Sequence, residues 1–523
     1  MKRMRITIVD LVSNKPTQRL YARLMNPNFA SIMPQVIGVW CEELGHDVRF
    51  VCYTGREDFS HALVADTDIL FIGAFTLSAQ LAYAISNLYR RQGAVTVLGG
   101  PHARCYPEDA ARYFDYVLGL TDKTIVEDVL RDSAPHRPIG RHLSARQQPR
   151  QLPGVRERWK FIEATIAKTP ALKLIPMIGS TGCPYTCSFC IDSVIKFQAL
   201  GFDQMREDLR FLLTKMARPR VAWHDPNYGV RFDDCLDTIE EVVPPGRIDF
   251  VAESSLSLLS ESRLRRLKKN GFKAILPGIE SWYSLGNKSK TGRSTGLEKV
   301  RQISAQVNTI LRYIPYVQTN FVLGLDCDEG AEPFELTKRF LDLTPGAYPA
   351  FSLLTAYGRA APLNLAFQQD QRVLPFPFHF LNSTRAMNVR PRNYDWPTFF
   401  RHVADLTAYA HSWRQIGQRF RAAGGIHSRW FSALRAATSD KVQYYTTLQE
   451  LLETDRPFRG YFEGDTSVLP EFFQHRMRRD LGVFWEALPE GALAHDQNAY
   501  LRSRPATSGH RRLAGDRAEP ALA

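Results

Sequence analysis

The sequence predicts an α/β protein with two successive parallel sheets and a helical C-terminal region. Three observations support this fold class. Apolar strand patterns alternate with helical patterns over residues 1–135, and six longer strand–helix units follow over residues 166–365. Beyond residue 366, apolar residues recur only at helical spacing. The chain has 523 residues, of which 44% are hydrophobic, so it is long enough for two or three domains with sizeable cores.

The first series predicts a doubly wound, Rossmann-like domain. Its strands are expected at residues 5–11, 48–53, 69–74, 95–98 and 116–118. Helical patterns such as residues 79–92 separate them, as in parallel sheets covered by helices on both faces. Ligands of such sheets bind beyond the carboxyl ends of the strands. The turns at residues 75–78 and 99–102 are therefore candidate ligand-facing segments.

The second series predicts a partial, TIM-like (β/α)6 barrel. Its strands are expected at residues 174–178, 220–223, 249–252, 274–276, 316–323 and 350–354. A helical pattern follows each of the first five, and the mouth of a barrel lies at the carboxyl ends of its strands. We expect polar residues that follow successive strands to meet at this mouth.

Three further segments complete the predicted organisation. Residues 136–165 are rich in Pro, Arg, Gln and His without a clear period, and are predicted to be a linker. Residues 366–501 are predicted to be a helical region whose aromatic residues serve core packing or cover a substrate. Residues 502–523 are small, charged or Pro- and Gly-bearing, and are predicted to be a disordered tail.

Three cysteines carry the clearest chemical signal. Cys183, Cys187 and Cys190 have the spacing C-x3-C-x2-C, directly after the first barrel strand. Thiolates suit zinc, copper(I) and iron–sulfur clusters. A closed zinc site uses four ligands, and an ordinary [4Fe–4S] cluster uses four cysteines. Unrelated thiols and a zinc site completed by a distant residue remain alternatives. We interpret the motif as an iron–sulfur site with one open position.

The cysteine motif, with Phe189 before its last cysteine, resembles that of the radical S-adenosylmethionine (SAM) superfamily. The resemblance implies a [4Fe–4S] cluster on Cys183, Cys187 and Cys190 whose fourth iron binds SAM. Reductive cleavage of SAM then gives a 5′-deoxyadenosyl radical that abstracts hydrogen from an unactivated carbon. The SAM-binding residues that it implies are Asp225, Asn227, Glu253, Glu280, Asn320 and Gly324. Cys327, which follows the fifth strand, is a candidate catalytic residue.

The first domain resembles the cobalamin (B12)-binding domain of a subgroup of that superfamily. The likeness rests on segments containing Thr76, Ser78, Gly99 and Gly100, which are the candidate cobalamin-binding residues. The D-x-H-x-x-G motif that supplies a histidine to cobalt is absent, because Leu11, Val12 and Ser13 follow Asp10. Cobalamin is thus an additional candidate cofactor, which would allow C-methylation. The alternative is a domain that has lost cobalamin in an enzyme that catalyses cyclisation or rearrangement.

These features predict a radical SAM enzyme that modifies a biosynthetic small molecule, with a reductant such as flavodoxin or ferredoxin. A non-catalytic metal-binding regulator and an RNA-modifying radical enzyme are the alternatives. The net charge is +13, but the basic residues are interpreted as scattered, which does not favour a nucleic-acid partner. No segment predicts a membrane span or a signal peptide, and eight cysteines without such a signal indicate a cytoplasmic protein.

Overall fold

Six parallel strands form the first sheet of this computed structural model, which describes residues 2–18, 20–25, 30–63, 66–133, 139–169 and 171–495. The strands are β1 (Arg5–Leu11), β2 (Asp47–Tyr53), β3 (Ile69–Ala74), β4 (Val95–Gly99), β5 (Tyr116–Leu118) and β6 (Arg141–Leu143). Their order is β2-β1-β3-β4-β5-β6. Strand β1 pairs on both sides and buries six of its seven residues, as its apolar sequence requires. The predicted doubly wound sheet is confirmed.

Helices cover both faces of this sheet. The longer helices of this part of the chain are Ile32–Glu43, Ala79–Arg91, Lys123–Ser133 and Val155–Ile166, and the short helices are Leu20–Met25, Phe59–Ala62, Pro101–Cys105 and Pro107–Ala110. Leu81, Ala84 and Ile85 of the second long helix are buried, as the 3.6-residue period of its apolar positions predicts.

The segment predicted to be a linker differs from the prediction. Within residues 136–165, strand β6 pairs with β5, and the helix Val155–Ile166 occupies the C-terminal part. Arg158 of that helix donates a hydrogen bond from Nη1 to Oε1 of Gln35, 2.8 Å away, which ties it to the first domain. Strand β6 contains only Leu143 as an apolar residue, and none of its residues is buried, so no hydrophobic pattern marks it in the sequence.

The second sheet is the predicted partial barrel. Its chain segment contains β7 (Ile175–Met177), β8 (Ser180–Thr181), β9 (Gln198–Ala199), β10 (Arg220–Trp223), β11 (Asp249–Ser254), β12 (Phe272–Glu280), β13 (Tyr316–Leu323) and β14 (Tyr348–Leu353). Six of them form one parallel sheet in the order β14-β13-β12-β11-β10-β7, while β8 and β9 pair as a short antiparallel ribbon. The helices around the sheet are Phe202–Lys215, Phe232–Val242, Glu261–Lys269, Gly286–Ser289, Gly296–Tyr313 and Glu332–Leu343. All six predicted barrel strands are confirmed.

The C-terminal region is helical, as predicted. Its helices are Leu363–Gln369, Trp396–Ala410, Trp413–Ala422, Ile426–Ala437, Lys441–Thr454, Arg456–Glu463 and Glu471–Leu481. Short 3₁₀ turns at Phe378–Phe380 and Gly482–Phe484 return the chain to the first domain. The tail predicted at residues 502–523 lies outside the described residues.

One continuous hydrophobic core joins the three regions. It extends from Leu11 and Ile72 of the first sheet through Phe250 of the barrel to Phe473 of the C-terminal region. A second cluster fills the opposite face of the first sheet. Among the described residues, every helix is too short or too polar to cross a membrane.

Candidate functional site

The cysteine loop follows β7 and opens into a cavity at the mouth of the barrel. Gly182 begins the loop with φ +67°, and a Cβ there would lie 2.5 Å from the carbonyl oxygens of Ile195 and Lys196. Only glycine fits this close approach without displacing the loop. Cys183, Cys187 and Cys190 all line the cavity, whose volume is about 210 Å³.

The three thiols supply the soft ligands that an iron–sulfur cluster uses. In the part of the chain that the structure describes, no group of three or more His, Cys, Asp or Glu side chains is arranged around one ion position. A cluster does not need such convergence, because each cysteine binds a different iron. All three cysteines are free thiols, and burial raises the pKa of both Cys187 and Cys190. Iron must therefore displace protons when it binds.

Two carboxylates and an ammonium face the cysteines across the cavity. Glu253 is the penultimate residue of β11, Glu280 ends β12, and Lys288 lies in the short helix after β12; all three line the cavity. Nζ of Lys288 donates to Oε1 of Glu280 at 2.6 Å. Glu280 has φ +66°, an uncommon backbone conformation for a residue with a side chain. A Cβ on Gly278 would collide with the Glu280 carboxylate, so glycine at 278 makes room for it.

The charges of this group depend on one another. Burial raises the pKa of Glu253, and the neighbouring charge of Glu280 raises it further. Burial alone would lower the pKa of Lys288, but Glu280 and the nearby Cys187 outweigh that effect and raise it. Lys288 is therefore held as a cation between the carboxylates and the cysteine thiols.

Asn227 brings an unsatisfied donor to the cavity. Its Oδ1 accepts hydrogen bonds from the backbone N of Ser255 at 2.9 Å and from Ser255 Oγ at 3.1 Å, which fixes the orientation of the amide. Its Nδ2 is buried and has no hydrogen-bond partner within the described ranges. Because an unpaired buried donor is costly, this atom is suited to a ligand that carries an acceptor. The amino-acid and ribose groups of SAM carry such acceptors.

Asp225 points away from the cavity and holds the start of the cysteine loop instead. Its carboxylate accepts hydrogen bonds from the backbone N of Gly179, at 2.9 Å, and from Ser180 Oγ. Burial raises its pKa to about 6. The structure thus joins the end of β10 to the loop that follows β7, and Asp225 is not among the residues that line the cavity.

Of the remaining residues predicted to bind SAM or to act in catalysis, one lines the cavity and two do not. Asn320 on β13 lines the cavity. Gly324 has φ +86° and packs against Met387 and Phe399 of the C-terminal region rather than facing the cavity. Cys327 is exposed, with its Sγ 3.5 Å from Ser281 Oγ, and it does not line the cavity. Its catalytic role stays a prediction.

Sequence reasoning missed Lys288, Tyr185 and Ser255, which also line the cavity. Lys288 belongs to a basic run after the fourth barrel strand, Asn287-Lys288-Ser289-Lys290, that could have been noticed. The run alone does not say which of its lysines turns inward. Tyr185 and Ser255 carry no comparable signal, because Tyr and Ser are common in loops.

The four residues predicted to bind cobalamin lie together at the carboxyl edge of the first sheet. Thr76 and Ser78 belong to the turn after β3, Gly99 ends β4, and Gly100 follows it. Ser78 Oγ is buried without a hydrogen-bond partner in the described chain, and so is Nδ1 of His102 beside it. These polar atoms are suited to a ligand. Gly100 has φ +92° and passes close to the backbone of Ala74, as a tight turn requires.

Aromatic residues of the C-terminal region cover this edge. The turn Phe378–Phe380 packs on the turn Thr76–Ser78. The ring of Phe378 lies 4.7 Å from the His102 ring, 4.5 Å from the Tyr106 ring and 4.1 Å from the His495 ring. The Phe378 ring therefore lies against the turns that contain the predicted cobalamin-binding residues, and a ligand that enters between these turns has to displace it.

The first domain also touches the cysteine loop directly. Arg104, in the helix after β4, donates from Nη2 to the carbonyl oxygen of Ile191 at 2.8 Å and lies 3.4 Å from Asp192. The carboxyl edge of the first sheet therefore lies beside the barrel mouth.

No family model matches the chain. The bacteriochlorophyllide d C-12(1)-methyltransferase of Chlorobaculum tepidum is 22% identical over 296 residues, covering 55% of this chain and 64% of the relative. The C-8(2)-methyltransferase of the same organism is 25% identical over 313 residues, covering 56% and 66%. The chain thus matches slightly less than two thirds of the length of each of these relatives.

Solved structures share the fold over most of the chain. The cobalamin-dependent SAM radical enzyme OxsB aligns with a TM-score of 0.54 at 11% identity, covering 94% of this chain and 80% of OxsB. The radical SAM methyltransferase TsrM of Kitasatospora setae aligns with a TM-score of 0.50 at 14% identity, covering 71% and 79%. The chain has the fold of cobalamin-dependent radical SAM enzymes. The fold that the resemblance implies is therefore confirmed.

Proposed function

We propose that this protein is a radical SAM enzyme. One observation carries the proposal: three cysteines with radical SAM spacing line a single cavity together with Glu253 and Lys288. These groups come from the carboxyl ends of successive barrel strands, where barrel enzymes place their chemistry. A metal-binding regulator would not need charged and amide groups gathered around an open ligand position.

The roles of the residues follow from their chemistry. Cys183, Cys187 and Cys190 would hold a [4Fe–4S] cluster. Lys288 offers a cation and Asn227 an unpaired donor for the carboxylate or ribose oxygens of SAM, while Glu253 and Glu280 offer acceptors for its ammonium or ribose hydroxyls. When bound, the cluster and SAM supply one-electron cleavage of a sulfonium and a carbon radical that abstracts hydrogen. The protein residues orient these groups and surround them.

Methyl transfer to carbon on a biosynthetic small molecule is the reaction that we favour. Both Chlorobaculum relatives are named as methyltransferases of a small pigment precursor, and TsrM is also a methyltransferase. A reductant such as flavodoxin or ferredoxin would supply the electron. All eight cysteines are free thiols, which supports a reducing, cytoplasmic setting. Cyclisation or rearrangement without cobalamin is the second candidate, favoured by the covered edge of the first sheet.

Anaerobic reconstitution tests the class of enzyme. We expect the purified chain to bind one [4Fe–4S] cluster and, with dithionite, to convert SAM to methionine and 5′-deoxyadenosine. Replacing Cys183, Cys187 or Cys190 by Ala should abolish both. Cys327→Ala is the matched control for cluster binding, because Cys327 does not line the cavity. A wild-type protein that binds zinc instead, or a cluster that cleaves no SAM, would contradict the proposal.

A further inference from the structure

A helical hairpin at the far end of the barrel is available for a partner. We define the arginine hairpin as residues 412–439, which contain the helices Trp413–Ala422 and Ile426–Ala437. Its inner face packs Ile416 and Ala436 against Tyr348, the first residue of β14. Nη1 of Arg435 donates to the hydroxyl of Tyr316, the first residue of β13, at 2.6 Å. The hairpin therefore covers the amino ends of the strands, opposite the cysteine-lined mouth.

The outer face of the hairpin is apolar and exposed. Trp413 is 80% exposed, Ile426 57%, Trp430 54% and Leu434 42%. Ile426, Trp430 and Leu434 are spaced four residues apart and so form one stripe along the second helix. The rings of Phe420 and Trp430 lie 5.1 Å apart, which joins the first helix to this stripe. Soluble monomers seldom leave such a contiguous patch uncovered, and patches of this kind mark interaction sites.

The charge of the hairpin is uniformly basic. It contains five arginines and no aspartate or glutamate. Arg419 and Arg435 bind groups of the barrel or neighbouring backbone, whereas the side chains of Arg421 and of Arg414, which lies 3.8 Å from Asp342, are exposed. Three of these arginines and two aromatic residues, Trp413 and Phe420, belong to the first helix.

We propose that the arginine hairpin docks on an anionic phospholipid surface. Helices with basic side chains beside an exposed Trp, Ile and Leu face lie in the headgroup region, where the apolar face enters the acyl boundary and the cations meet phosphates. Charge complementarity selects this partner. A second copy of the hairpin would bring further exposed arginines and no hairpin carboxylate to the interface, and a nucleic acid would leave Ile426 and Leu434 without an apolar partner.

The hairpin and the cysteine loop lie at opposite ends of the barrel strands, so docking would leave the mouth facing away from the lipid. The surface would localise the protein without closing its active site. Docking and SAM cleavage should therefore be separable by mutation.

Vesicle sedimentation tests the proposal. We expect the full chain to sediment with vesicles of phosphatidylcholine and phosphatidylglycerol, to bind much less to phosphatidylcholine alone, and to be released by high salt. Trp413→Gln with Trp430→Gln should reduce binding at least about tenfold by removing the aromatic face. Arg414→Gln with Arg421→Gln should reduce the dependence on phosphatidylglycerol. Cluster content and SAM cleavage should be unchanged in both variants.

The control is Val468→Gln, which changes a valine that is 70% exposed outside the hairpin and should bind vesicles like the wild type. Three results would overturn the proposal. The first is that the wild type does not bind anionic vesicles. The second is that the variant with both Trp413→Gln and Trp430→Gln binds them as well as the wild type. The third is that the wild type binds no vesicles but dimerises or retains nucleic acid, and that this variant loses that association.

Discussion

The ammonium of Lys288 lies where its charge can change the reduction potential of a cluster bound in the cavity. It bonds to Glu280 and shares the cavity with the thiols of Cys187 and Cys190. Replacing Lys288 by Met removes this positive charge beside the cluster position, which makes an added electron less stable. We expect a more negative cluster potential in EPR-monitored redox titration and a roughly tenfold slower SAM cleavage, equivalent to about 1.4 kcal/mol.

Lys273→Met is the matched control for that prediction. Lys273 lies on the same strand as Glu280, near its opposite end, where it is 3.8 Å from Asp249 and 44% exposed. Its loss should leave the potential and the cleavage rate unchanged. Lys288→Arg should retain most of the potential, because it keeps the charge. A Lys288→Met protein with the wild-type potential would show that the ammonium does not act on the cluster.

Individual side chains mark the limit of what the sequence predicts. Polar residues after parallel strands converge because the carboxyl ends of those strands share one edge, so Asn227, Glu253 and Glu280 were correctly expected to lie together. Asp225 follows the same rule of position but turns toward Gly179. The direction in which a carboxylate side chain points depends on which neighbour offers a hydrogen-bond donor. That neighbour belongs to another segment of the chain.

At the scale of elements, the cysteine loop depends on one glycine. Gly182 has φ +67°, and a Cβ there would lie 2.5 Å from two carbonyl oxygens. For Gly182→Ala we expect a cost of about 1–2 kcal/mol from the left-handed backbone alone. The collision should also displace Cys183, whose backbone N bonds to the carbonyl of Ile195. The iron content after reconstitution should fall well below one cluster per chain.

Gly201, at the other end of the loop segment that Gly182 begins, is the control position. It has φ −66°, and a Cβ there would meet open space. Gly201→Ala should keep full cluster content and change stability by less than about 1 kcal/mol. If both variants retained the cluster equally in iron and sulfide analysis, the tight backbone of Gly182 would not be needed to present the cysteines.

The elements themselves were largely predictable because their signal is local. Eleven predicted strands are present, since each is a short apolar run between turns. Strand β6 was missed because Leu143 is its only apolar residue and its partner strand, rather than its composition, stabilises it. The covered edge of the first sheet was also missed. It arises from residues about 300 positions apart, and no local pattern reports such contacts.

At the scale of the whole molecule, the C-terminal region covers the carboxyl edge of the first sheet. Phe378 is 1% exposed and lies among His102, Tyr106 and His495, and its turn packs on the turn that contains the unsatisfied Ser78 hydroxyl. We expect a corrinoid that binds this edge to displace the Phe378 ring. Cobalamin binding by the wild type therefore includes the free-energy cost of moving the Phe378 ring. Removing the ring should lower this cost.

We accordingly expect Phe378→Ala to retain more cobalamin than the wild type after anaerobic purification with hydroxocobalamin, measured from the visible spectrum per [4Fe–4S] cluster. Phe376→Ala separates this effect from general loosening. Phe376 is also fully buried, but it packs against Tyr461, Phe462 and Phe473 within the C-terminal region. Each variant should lose about 3–5 kcal/mol of stability, yet only the change at Phe378 should raise retention. Stoichiometric, equally tight binding by the wild type and both variants would show that the ring does not obstruct the edge.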